Sequence, residues 1–342
     1  VPDYFVVFFG VHNFLFSPLY PNLQFSHSLL IEDLEYPAYN SNFLFGSNYG
    51  YRSGLNKSMI SHLKQKYLYL NKKLNLSNKD YILDIGSNDG TFLNFFSNQI
   101  NKVGCDPSAK KFKKYYNKNI KTYYQIFDQN VITKLKFKFK LVSAIAMFYD
   151  LNNPVEFCKN VEKIIDKNGI FHIEIAYLPD IIKEFSFDTF CQEHLTYYSF
   201  ISFKNLINQT NFKIIDFQRN SINGGSINFD LALNNSNIKP KLNKIKNLYN
   251  YELKNNFHKL SKYKNFFKEI DKNINKIDKN INLISKKTNK IYGFGASTKG
   301  NVTLQLCKLN NKKIRAIYDV NKEKFGSYTP GTNILIKDEK HI

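Results

Sequence analysis

The residues whose types and spacing could support chemistry form two clusters near the middle of the chain. One is the loop Asp84-Ile-Gly-Ser-Asn-Asp-Gly90, at the end of the apolar segment Tyr81–Ile85. Its two glycines permit a tight turn and close approach of the backbone to a ligand. The other is Phe187–Ser199, in which the carboxylate of Glu193 is adjacent to the imidazole of His194. Imidazole titrates near neutral pH, so this pair is suited to abstracting a proton.

The loop predicts a binding site for S-adenosylmethionine (SAM), which carries a cationic sulfonium, a ribose and an amino-acid tail. Asp84 can face a ligand from its strand end, and Asp106 follows about 20 residues later, the spacing of a ribose-binding acid. The loop departs from the nicotinamide fingerprint G-x-G-x-x-G, and its acidic residues suit a cation better than a pyrophosphate. The alternative is a plain strand-to-helix turn with glycine at the bend. The predicted cofactor contacts are Asp84, Gly86, Asn88, Gly90, Asp106 and, from the end of the fourth strand, Met147.

The second cluster supplies an acid–base candidate. His194 is predicted to be the base, Glu193 its orienting or polarising neighbour, and Tyr198 a further polar group of the site. The alternative is a structural histidine satisfied by local hydrogen bonds. His172, on a strand predicted to be buried, is interpreted as structural, whereas Glu174 ends that strand and could face the crevice.

Alternating strands and helices must position both clusters. Between residues 56 and 175, apolar segments typical of strands alternate with helical or glycine-containing segments. This alternation predicts an open, doubly wound α/β sheet with its ligands at the carboxyl ends of the strands. The expected elements are a helix over 56–76, strands at Tyr81–Ile85, before Asp106, near Lys121–Tyr124, at Lys140–Met147 and at Ile170–Ile175, and helices from Thr91 and over Pro154–Ile165.

The pattern changes after residue 200. A helix over Phe203–Thr210 and strands over Lys213–Gln218 and Ile227–Leu233 are expected, with a tight turn at Asn223–Ser226. One or two long surface helices are expected over 240–287. A new α/β unit with two recognisable strands begins at Lys290, and two strands cannot bury their faces well, so the chain is interpreted as truncated there. The predicted domains are an N-terminal remnant (1–45), a methyltransferase domain (46–235), a Lys-rich helical connection (236–287) and a truncated C-terminal domain (288–342).

Composition and charge limit the class of protein. With 342 residues, 43% of them hydrophobic, the chain can form more than one core. The formal net charge of +21 keeps a basic nucleic-acid-binding or RNA-modifying protein open as an alternative. The lysines are dispersed among asparagines, however, and neither an RNA-binding signature nor a tight arginine cluster is present. No nucleic-acid partner is therefore expected.

The cysteines and the apolar N-terminus bear on the location of the protein. The four cysteines form no CxxC pair, which argues against a metal knuckle or disulfide framework and favours a reducing, cytoplasmic setting. Polar residues and prolines interrupt the Phe/Val-rich segment Val1–Tyr20, so neither a signal peptide nor a membrane span is expected. The chain lacks an initiating Met and is expected to begin inside a longer reading frame.

Five motifs in order resemble those of the SAM-dependent sugar C-methyltransferases, which act on nucleotide-linked keto-deoxysugars. The motifs are Phe45–Gly54, Leu83–Thr91, Asp188–Ser199, Asn223–Ser226 and Gly293–Asn301, and Tyr328–Thr332 fits the same family. They are similar to the family patterns Y-x-Y-R-S-G, [ED]-I-G-S-N-D-G-T, D-T-I-x-H-E-H-x-x-Y-x-S, N-G-G-S and G-Y-G-A-x-x-K-G-N. No single motif is specific, but their succession in this order is.

The resemblance implies a fold and a reaction. The fold is a class I Rossmann-like methyltransferase domain followed by a helical segment and a second Rossmann-like domain, with a zinc-binding module in front. In the reaction, a base removes the proton on the carbon next to a ketone, and the enolate attacks the SAM methyl group. The resemblance implies that His194 is that base and Glu193 its neighbour. The implied contacts to the enolate and to the nucleotide-sugar substrate are Tyr198, Asn223, Lys299 and Asn301.

The chain departs from the family pattern at three places. The zinc-binding cysteines are absent from residues 1–45, so no metal site is expected although zinc is typical of the family. Gln192 stands where the family often has His, and Cys191 stands where some members have Tyr. A SAM-dependent O- or N-methyltransferase of another small molecule therefore stays open as an alternative.

Overall fold

The computed structural model describes residues 5–8, 45–46, 49–190 and 194–341. Within these residues the strands are β1 Phe5–Phe8, β2 Tyr81–Ile85, β3 Asn101–Cys105, β4 Ile120–Tyr123, β5 Phe139–Ile145, β6 Ile165–Ala176, β7 Phe212–Asn220, β8 Ser226–Leu233, β9 Ile291–Phe294, β10 Ala316–Asp319 and β11 Ile336–Asp338. The α-helices are α1 Lys57–Leu74, α2 Thr91–Asn94, α3 Gln129–Ile132, α4 Pro154–Glu162, α5 Leu178–Lys183, α6 Phe200–Ile207, α7 Leu242–Lys254, α8 Leu260–Ser285 and α9 Thr298–Leu306. They divide between two compact units, each with its own sheet.

The seven-stranded unit comprises the described residues between 45 and 178 and between 195 and 255. Its strand order is β4-β3-β2-β5-β6-β8-β7. The strands from β4 to β6 pair in parallel, and β8 runs antiparallel to both of its neighbours. Neighbours that are distant in sequence, such as β2 and β5, require crossover connections between parallel strands. The predicted open α/β sheet is confirmed.

Helix α1 covers one face of this sheet. Its N-cap is Asn56, whose side chain accepts the N–H of Ser58, and its C-cap is Asn75 in the left-handed conformation. Leu63 and Leu70, on one side of the helix, are buried in the core together with Ile82 of β2. Burial of each such side chain contributes roughly 1.5–3 kcal/mol, so this stripe fixes the position of the helix.

The central strands follow the predicted pattern, with one difference at β6. Helix α4 ends three residues before the predicted boundary, and β6 begins at Ile165 rather than Ile170. Ile165 pairs with Phe139 and Ile170 with Leu141, so the residues between them form an irregularity in the register. The N–H of Phe139 binds the carbonyl of Ile164, and this pairing ends the helix early. Such long-range pairing leaves no local sequence signal.

The four-stranded unit comprises residues 5–8, 179–190, 194 and 256–341 of the described chain. Its strands are all parallel, in the order β1-β9-β10-β11. The prediction of two strands here is wrong, because β11 has only three residues and β1 comes from the opposite end of the sequence. The amphipathic helix α8 packs Ile281 into the core of this unit, beside Ile291 and Leu304.

The compact units follow other boundaries than the predicted domains. Helix α7 belongs to the seven-stranded unit and α8 to the four-stranded unit, whereas both were predicted in one connection over 236–287. Residues 179–190 and 194 also belong to the four-stranded unit. Most of the predicted N-terminal remnant lies outside the described residues. No helix among the described residues is long and apolar enough to cross a membrane.

Candidate functional site

The loop between β2 and α2 turns sharply at the carboxyl edge of the seven-stranded sheet. Gly86 and Gly90 both have φ +76°, and Asn88 has φ +49°, which glycine and asparagine adopt at low cost. The N–H of Gly86 donates to the carbonyl of Cys105, at the end of β3, over 2.8 Å. A Cβ atom at Gly86 would lie 2.9 Å from Cγ of Met147. The structure thus brings together Gly86 and Met147, two predicted cofactor contacts.

Asp84 lies at the same edge, with 4% of its surface exposed. Its Oδ1 accepts a hydrogen bond from Oγ of Ser143 over 2.7 Å, and the two residues are register partners on β2 and β5. Burial raises the pKa of Asp84 to about 7, although the Ser143 hydrogen bond lowers it, and the charge of Asp106 adds to the increase. Asp84 therefore exchanges its proton near neutral pH.

Asp106 joins the loop to the end of β3. Its Oδ2 accepts the N–H of Asn88 over 2.9 Å, and its Oδ1 accepts the N–H and the hydroxyl of Ser108, each over 2.6 Å. Burial raises the pKa of Asp106, while these hydrogen bonds lower it. Among the described residues, neither Asp84 nor Asp106 forms an ion pair with a basic side chain. Two buried carboxylates without a protein counter-cation fit a cationic cofactor such as SAM.

The side chain of Asn88 binds a preceding segment of the chain. Its Oδ1 accepts the N–H of Ser53 over 2.9 Å, and its Nδ2 donates to the carbonyl of Tyr51 over 3.1 Å. Asn88 was predicted to contact the cofactor. The structure corrects this for the side chain, because both of its polar atoms are engaged within the protein.

Asp89 completes the attachment of residues 51–54 to the loop. Its Oδ2 accepts the N–H of Gly54 over 2.9 Å and lies 3.2 Å from Nη1 of Arg52. Its Oδ1 accepts the N–H and the hydroxyl of Thr91. Two of the sequence motifs, one before α1 and one after β2, therefore form a single hydrogen-bonded structure, which we call the 51–54 clamp.

Gly90 makes room for a protein side chain. A Cβ atom there would lie 2.7 Å from the ring of Tyr116. The Tyr116 hydroxyl donates to the carbonyl of Asn88 over 2.8 Å and lies 2.8 Å from Oγ of Ser87. The space that a side chain would occupy at Gly90 is therefore filled by Tyr116, and a cofactor contact of the Gly90 backbone stays a prediction.

The predicted base lies in the four-stranded unit. His194 is buried, and Glu193, with Cys191 and Gln192, lies outside the described residues. The sequence prediction for Glu193 therefore stays a prediction.

Within the four-stranded unit, the motif that contains His194 lies next to helix α9. The turn Phe187–Thr189 contacts α9. Burial raises the pKa of Asp188, and the ammonium of Lys299, in the first turn of α9, lowers it. Lys299 is thus placed beside an acid from a motif more than a hundred positions earlier, which sequence spacing alone does not indicate.

Asn301 lies in the same turn of α9. It is 9% exposed, and its Oδ1 is buried without a hydrogen-bond partner among the described residues. A buried carbonyl oxygen without a donor is costly, so such an atom is a candidate acceptor for a ligand. Gly295, with φ +85°, forms the preceding turn. The placement fits the prediction of a substrate contact at Asn301.

Tyr198 and Asn223 have different surroundings. Tyr198 is 3% exposed, and its ring centroid lies 5.9 Å from that of Phe148 and 6.0 Å from that of Phe203. The ring of Tyr198 packs in this aromatic environment, and its predicted catalytic role stays a prediction. Asn223 is exposed in the β7–β8 turn with φ +56°. Since Ser226 pairs with Ala176 at the end of β6, that turn lies at the carboxyl edge of the sheet.

A zinc site does not fit the described residues. No three His, Cys, Asp or Glu side chains among them stand where they could hold a metal ion. Cys105, Cys158 and Cys307 are buried, unpaired thiols, and burial raises the pKa of each, to about 12 at Cys307. Metal ligands are thiolates, so these cysteines are unsuited to the task.

Polar residues on α1 were missed by sequence reasoning. His62 and Lys66 lie one turn apart and contact Glu174 of β6. The sequence could have indicated them, because they lie beside Leu63 and Leu70 on the otherwise apolar face of the helix.

Comparison with known proteins identifies the family. Residues 55–216 match the family described as "Methyltransferase domain", and residues 221–342 match the "C-methyltransferase C-terminal domain". The chain is also 24% identical over 299 residues to the C-methyltransferase NovU of Streptomyces niveus, covering 86% of this chain and 70% of NovU. The chain belongs to the SAM-dependent C-methyltransferases. It is accordingly an enzyme, and SAM is its cofactor.

Solved structures of methyltransferases are also similar to this C-methyltransferase. One, a SAM-dependent methyltransferase from Clostridium acetobutylicum, is 13% identical, with 51% of this chain and 92% of that chain covered and a TM-score of 0.39. Another, the 1,6-didemethyltoxoflavin-N1-methyltransferase of Burkholderia thailandensis, solved with S-adenosylhomocysteine, is 10% identical, with 50% and 77% covered and a TM-score of 0.38.

Proposed function

We propose that this C-methyltransferase transfers the SAM methyl group to a carbon next to a ketone in a nucleotide-linked deoxysugar. The observation that carries the proposal is the match of residues 221–342 to a C-methyltransferase C-terminal domain, directly after a methyltransferase domain. The motif resemblance supports the choice of a sugar acceptor. An O- or N-methyltransferase would not need the base motif that ends in His194.

The acceptor carbon must lose a proton before it becomes nucleophilic, and His194 is proposed as the base. Its imidazole takes the α-proton, the electrons move to the ketone oxygen, and Glu193 stabilises the imidazolium. After methyl transfer the ketone is restored and His194 retains the proton, so the step balances. His194 is buried, which keeps water away from the enolate.

The proposed cofactor contacts lie at the carboxyl edge of the seven-stranded sheet. SAM supplies an electrophilic methyl group when bound. We expect Asp106 to accept a hydrogen bond from the ribose and Asp84 to offset the positive charge of the sulfonium. Gly86 and Met147 lie close together at the adjacent turn. The clamp on Asn88 and Asp89 holds the backbone of the loop in place.

The proposed substrate contacts are Asn223, Lys299 and Asn301. Lys299 and the buried Oδ1 of Asn301 share the first turn of α9. A lysine at a helix N-terminus suits a phosphate of the nucleotide, because the helix dipole and the ammonium attract negative charge. We further propose a cytoplasmic setting, which the three free buried cysteines support.

A methyl-transfer screen tests the proposed function. The protein is incubated with isotopically labelled SAM and a panel of nucleotide-linked 4-keto-6-deoxysugars, in H₂O and in D₂O. We expect label in a carbon-bound methyl group and enzyme-dependent exchange of the α-proton with solvent. Methyl transfer without α-exchange would favour O- or N-methylation. A matched panel of sugars reduced at the keto carbon is the control, and transfer to these would contradict an enolate mechanism.

A further inference from the structure

A chain of buried and partly buried polar side chains runs between α1 and the sheet of the seven-stranded unit. Its members lie on α1, β6, β7 and β8, and the proposed function does not use them. They are His62, Lys66, Tyr69, Lys73, His172, Glu174, Asn220, Asn228 and Asp230. Such a set is costly to bury unless its members satisfy one another, so its arrangement is informative.

The end of this chain at the carboxyl edge is a carboxylate–imidazole pair. Nε2 of His62 lies 2.8 Å from Oε1 of Glu174, and the two side chains are 11% and 2% exposed. The charge of Lys66 holds the pKa of Glu174 at about 2, in spite of burial, which alone would raise it. Glu174 is therefore ionised and accepts a hydrogen bond, so Nε2 of His62 carries a proton. Among the described residues, Nδ1 of His62 makes no hydrogen bond.

Glu174 is fixed from two further directions. Its Oε2 lies 2.5 Å from Nζ of Lys66 and accepts a hydrogen bond from Nδ2 of Asn220 over 2.8 Å. The other protons of Lys66 face Nε2 of His172 at 3.4 Å and Oδ1 of Asn228 at 3.5 Å. All three donors of the ammonium thus have acceptors.

The histidine behind Lys66 has a defined tautomer. Nε2 of His172 faces the Lys66 ammonium and must be the acceptor, so Nδ1 carries the proton and donates to Oδ1 of Asp230 over 2.7 Å. Burial lowers the pKa of His172, and the charge of Lys66 lowers it further, so the ring is neutral. The prediction that His172 is structural agrees with this placement. His62 differs, because one of its nitrogens is left for another partner.

The pair stands where ligands bind to this type of sheet. Glu174 is in register with Ile145, the last residue of β5. Two residues after Ile145 comes Met147, which lies beside Gly86. Ligands of open α/β sheets bind outside the carboxyl ends of the strands. The 51–54 clamp leads directly into α1 and holds its N-terminal end at the same edge.

We propose that His62 is a second catalytic residue that acts in its doubly protonated form: Glu174 holds Nε2–H, and Nδ1–H donates a hydrogen bond to the ketone oxygen of the acceptor as that oxygen gains negative charge. The inference rests on the proposed function. Glu174 stabilises the imidazolium of His62, and Lys66 and Asn220 position Glu174. When the base takes the α-proton, the carbonyl electrons move to oxygen and His62 stabilises the enolate. The electrons return when the methyl group is transferred, so His62 neither gains nor loses a proton overall.

Substitutions of His62 test the proposal on the intact chain, with the panel sugar that the wild-type protein methylates. We expect His62→Ala to reduce kcat about 100-fold or more, the usual cost of removing one oxyanion donor. Enzyme-dependent α-exchange in D₂O should fall in parallel, because both depend on the enolate. The affinity for SAM, measured by calorimetric titration, should stay within about twofold. His62→Gln keeps an N–H donor and should recover part of kcat.

The controls separate a catalytic role from a structural one. His258→Ala, at an exposed histidine, should leave kcat unchanged. Unchanged kcat in a folded His62→Ala protein would overturn the role of His62 alone. A wild-type protein that methylates no panel sugar and exchanges no α-proton would overturn the proposed function, and the role of His62 with it.

Discussion

Asn88 Oδ1 accepts the backbone N–H of Ser53 over 2.9 Å. This bond attaches the segment before α1 to the loop after β2. The partner bond from Nδ2 of Asn88 to Tyr51 makes the contact two-pronged. Because the same residue adopts φ +49°, its backbone shapes the loop while its side chain secures the clamp.

The clamp predicts a specific loss of stability in Asn88→Ala. The variant loses two hydrogen bonds, each worth about 0.5–1.5 kcal/mol, and places alanine in a left-handed conformation at about 1 kcal/mol. We expect the free energy of unfolding in urea to fall by roughly 2–4 kcal/mol. Asn75→Ala is the matched control, since Asn75 has φ +47° and is exposed at the end of α1. If both variants lost the same free energy of unfolding, the hydrogen bonds of the clamp would not contribute to stability.

The buried carboxyl of Asp84 predicts a pH-dependent effect of Asp84→Asn. Its pKa of about 7 in the folded protein lies above the ordinary value of 3.8, so the stability it supports is complete below pH 3.8 and is lost as pH rises through 7. Asn does not titrate. The variant should therefore gain stability relative to the wild type as pH rises from about 4 to about 7, by up to about 4 kcal/mol in total.

The same substitution should weaken SAM binding, because a negative charge near the cationic cofactor is lost. Calorimetric titration at pH 6 and pH 8 checks this. Wild-type affinity should rise with pH, since binding a cation favours the ionised form of Asp84, whereas the affinity of Asp84→Asn should be independent of pH in this range. A parallel rise in both proteins would place the titrating group elsewhere.

The buried ion pair between Lys66 and Glu174 predicts non-additive effects on stability. Lys66→Met leaves Glu174 charged and without its cation, and should cost about 3–5 kcal/mol. The double variant Lys66→Met/Glu174→Gln should be more stable than the sum of the single effects indicates, by more than 1 kcal/mol. The stability supplied by Glu174 is present above its ordinary pKa of 4.5 and is lost as pH falls to about 2.

A matched pair on the surface controls for the charge change. Lys272 and Glu269 of α8 also lie 2.5 Å apart, but they are 66% and 54% exposed. Solvent screens such a pair, so Lys272→Met should cost less than about 1 kcal/mol. Equal costs at Lys66 and Lys272 would contradict the argument from burial.

His194→Ala should retain SAM binding while methyl transfer falls by orders of magnitude. The base is required only for the acceptor carbon, and the proposed SAM contacts lie in the seven-stranded unit. Initial rates with a panel sugar and calorimetric titration with SAM measure the two effects separately. Undiminished turnover in the variant would refute the role assigned to His194.

Local patterns were sufficient to predict most elements of the seven-stranded unit. Strand β2 has the predicted bounds, and β5 was found from its apolar residues because both faces of a central parallel strand are covered. The four-stranded unit was underestimated, since β11 is too short for a pattern and β1 pairs with β9 across most of the chain. The spacing of apolar residues indicates that a segment is buried, but not which strand it pairs with.

For the candidate site, the sequence by itself determined the residues with unusual backbone or charge. Gly86 and Gly90 were found because glycine permits a tight turn, and Asp106 because its spacing suits a strand end. The match to the C-methyltransferase family agrees with the reading of the motifs.

Only the tertiary structure decided what those residues touch. The side chain of Asn88 binds Ser53, Gly90 accommodates Tyr116, and Tyr198 packs among aromatic rings. The pairing of His62 with Glu174 joins a helix and a strand 112 positions apart. Residue type and local spacing fix the conformations that a segment can adopt, but hydrogen bonds and ion pairs form between segments that the folded chain brings together, and these decide the role of each polar side chain.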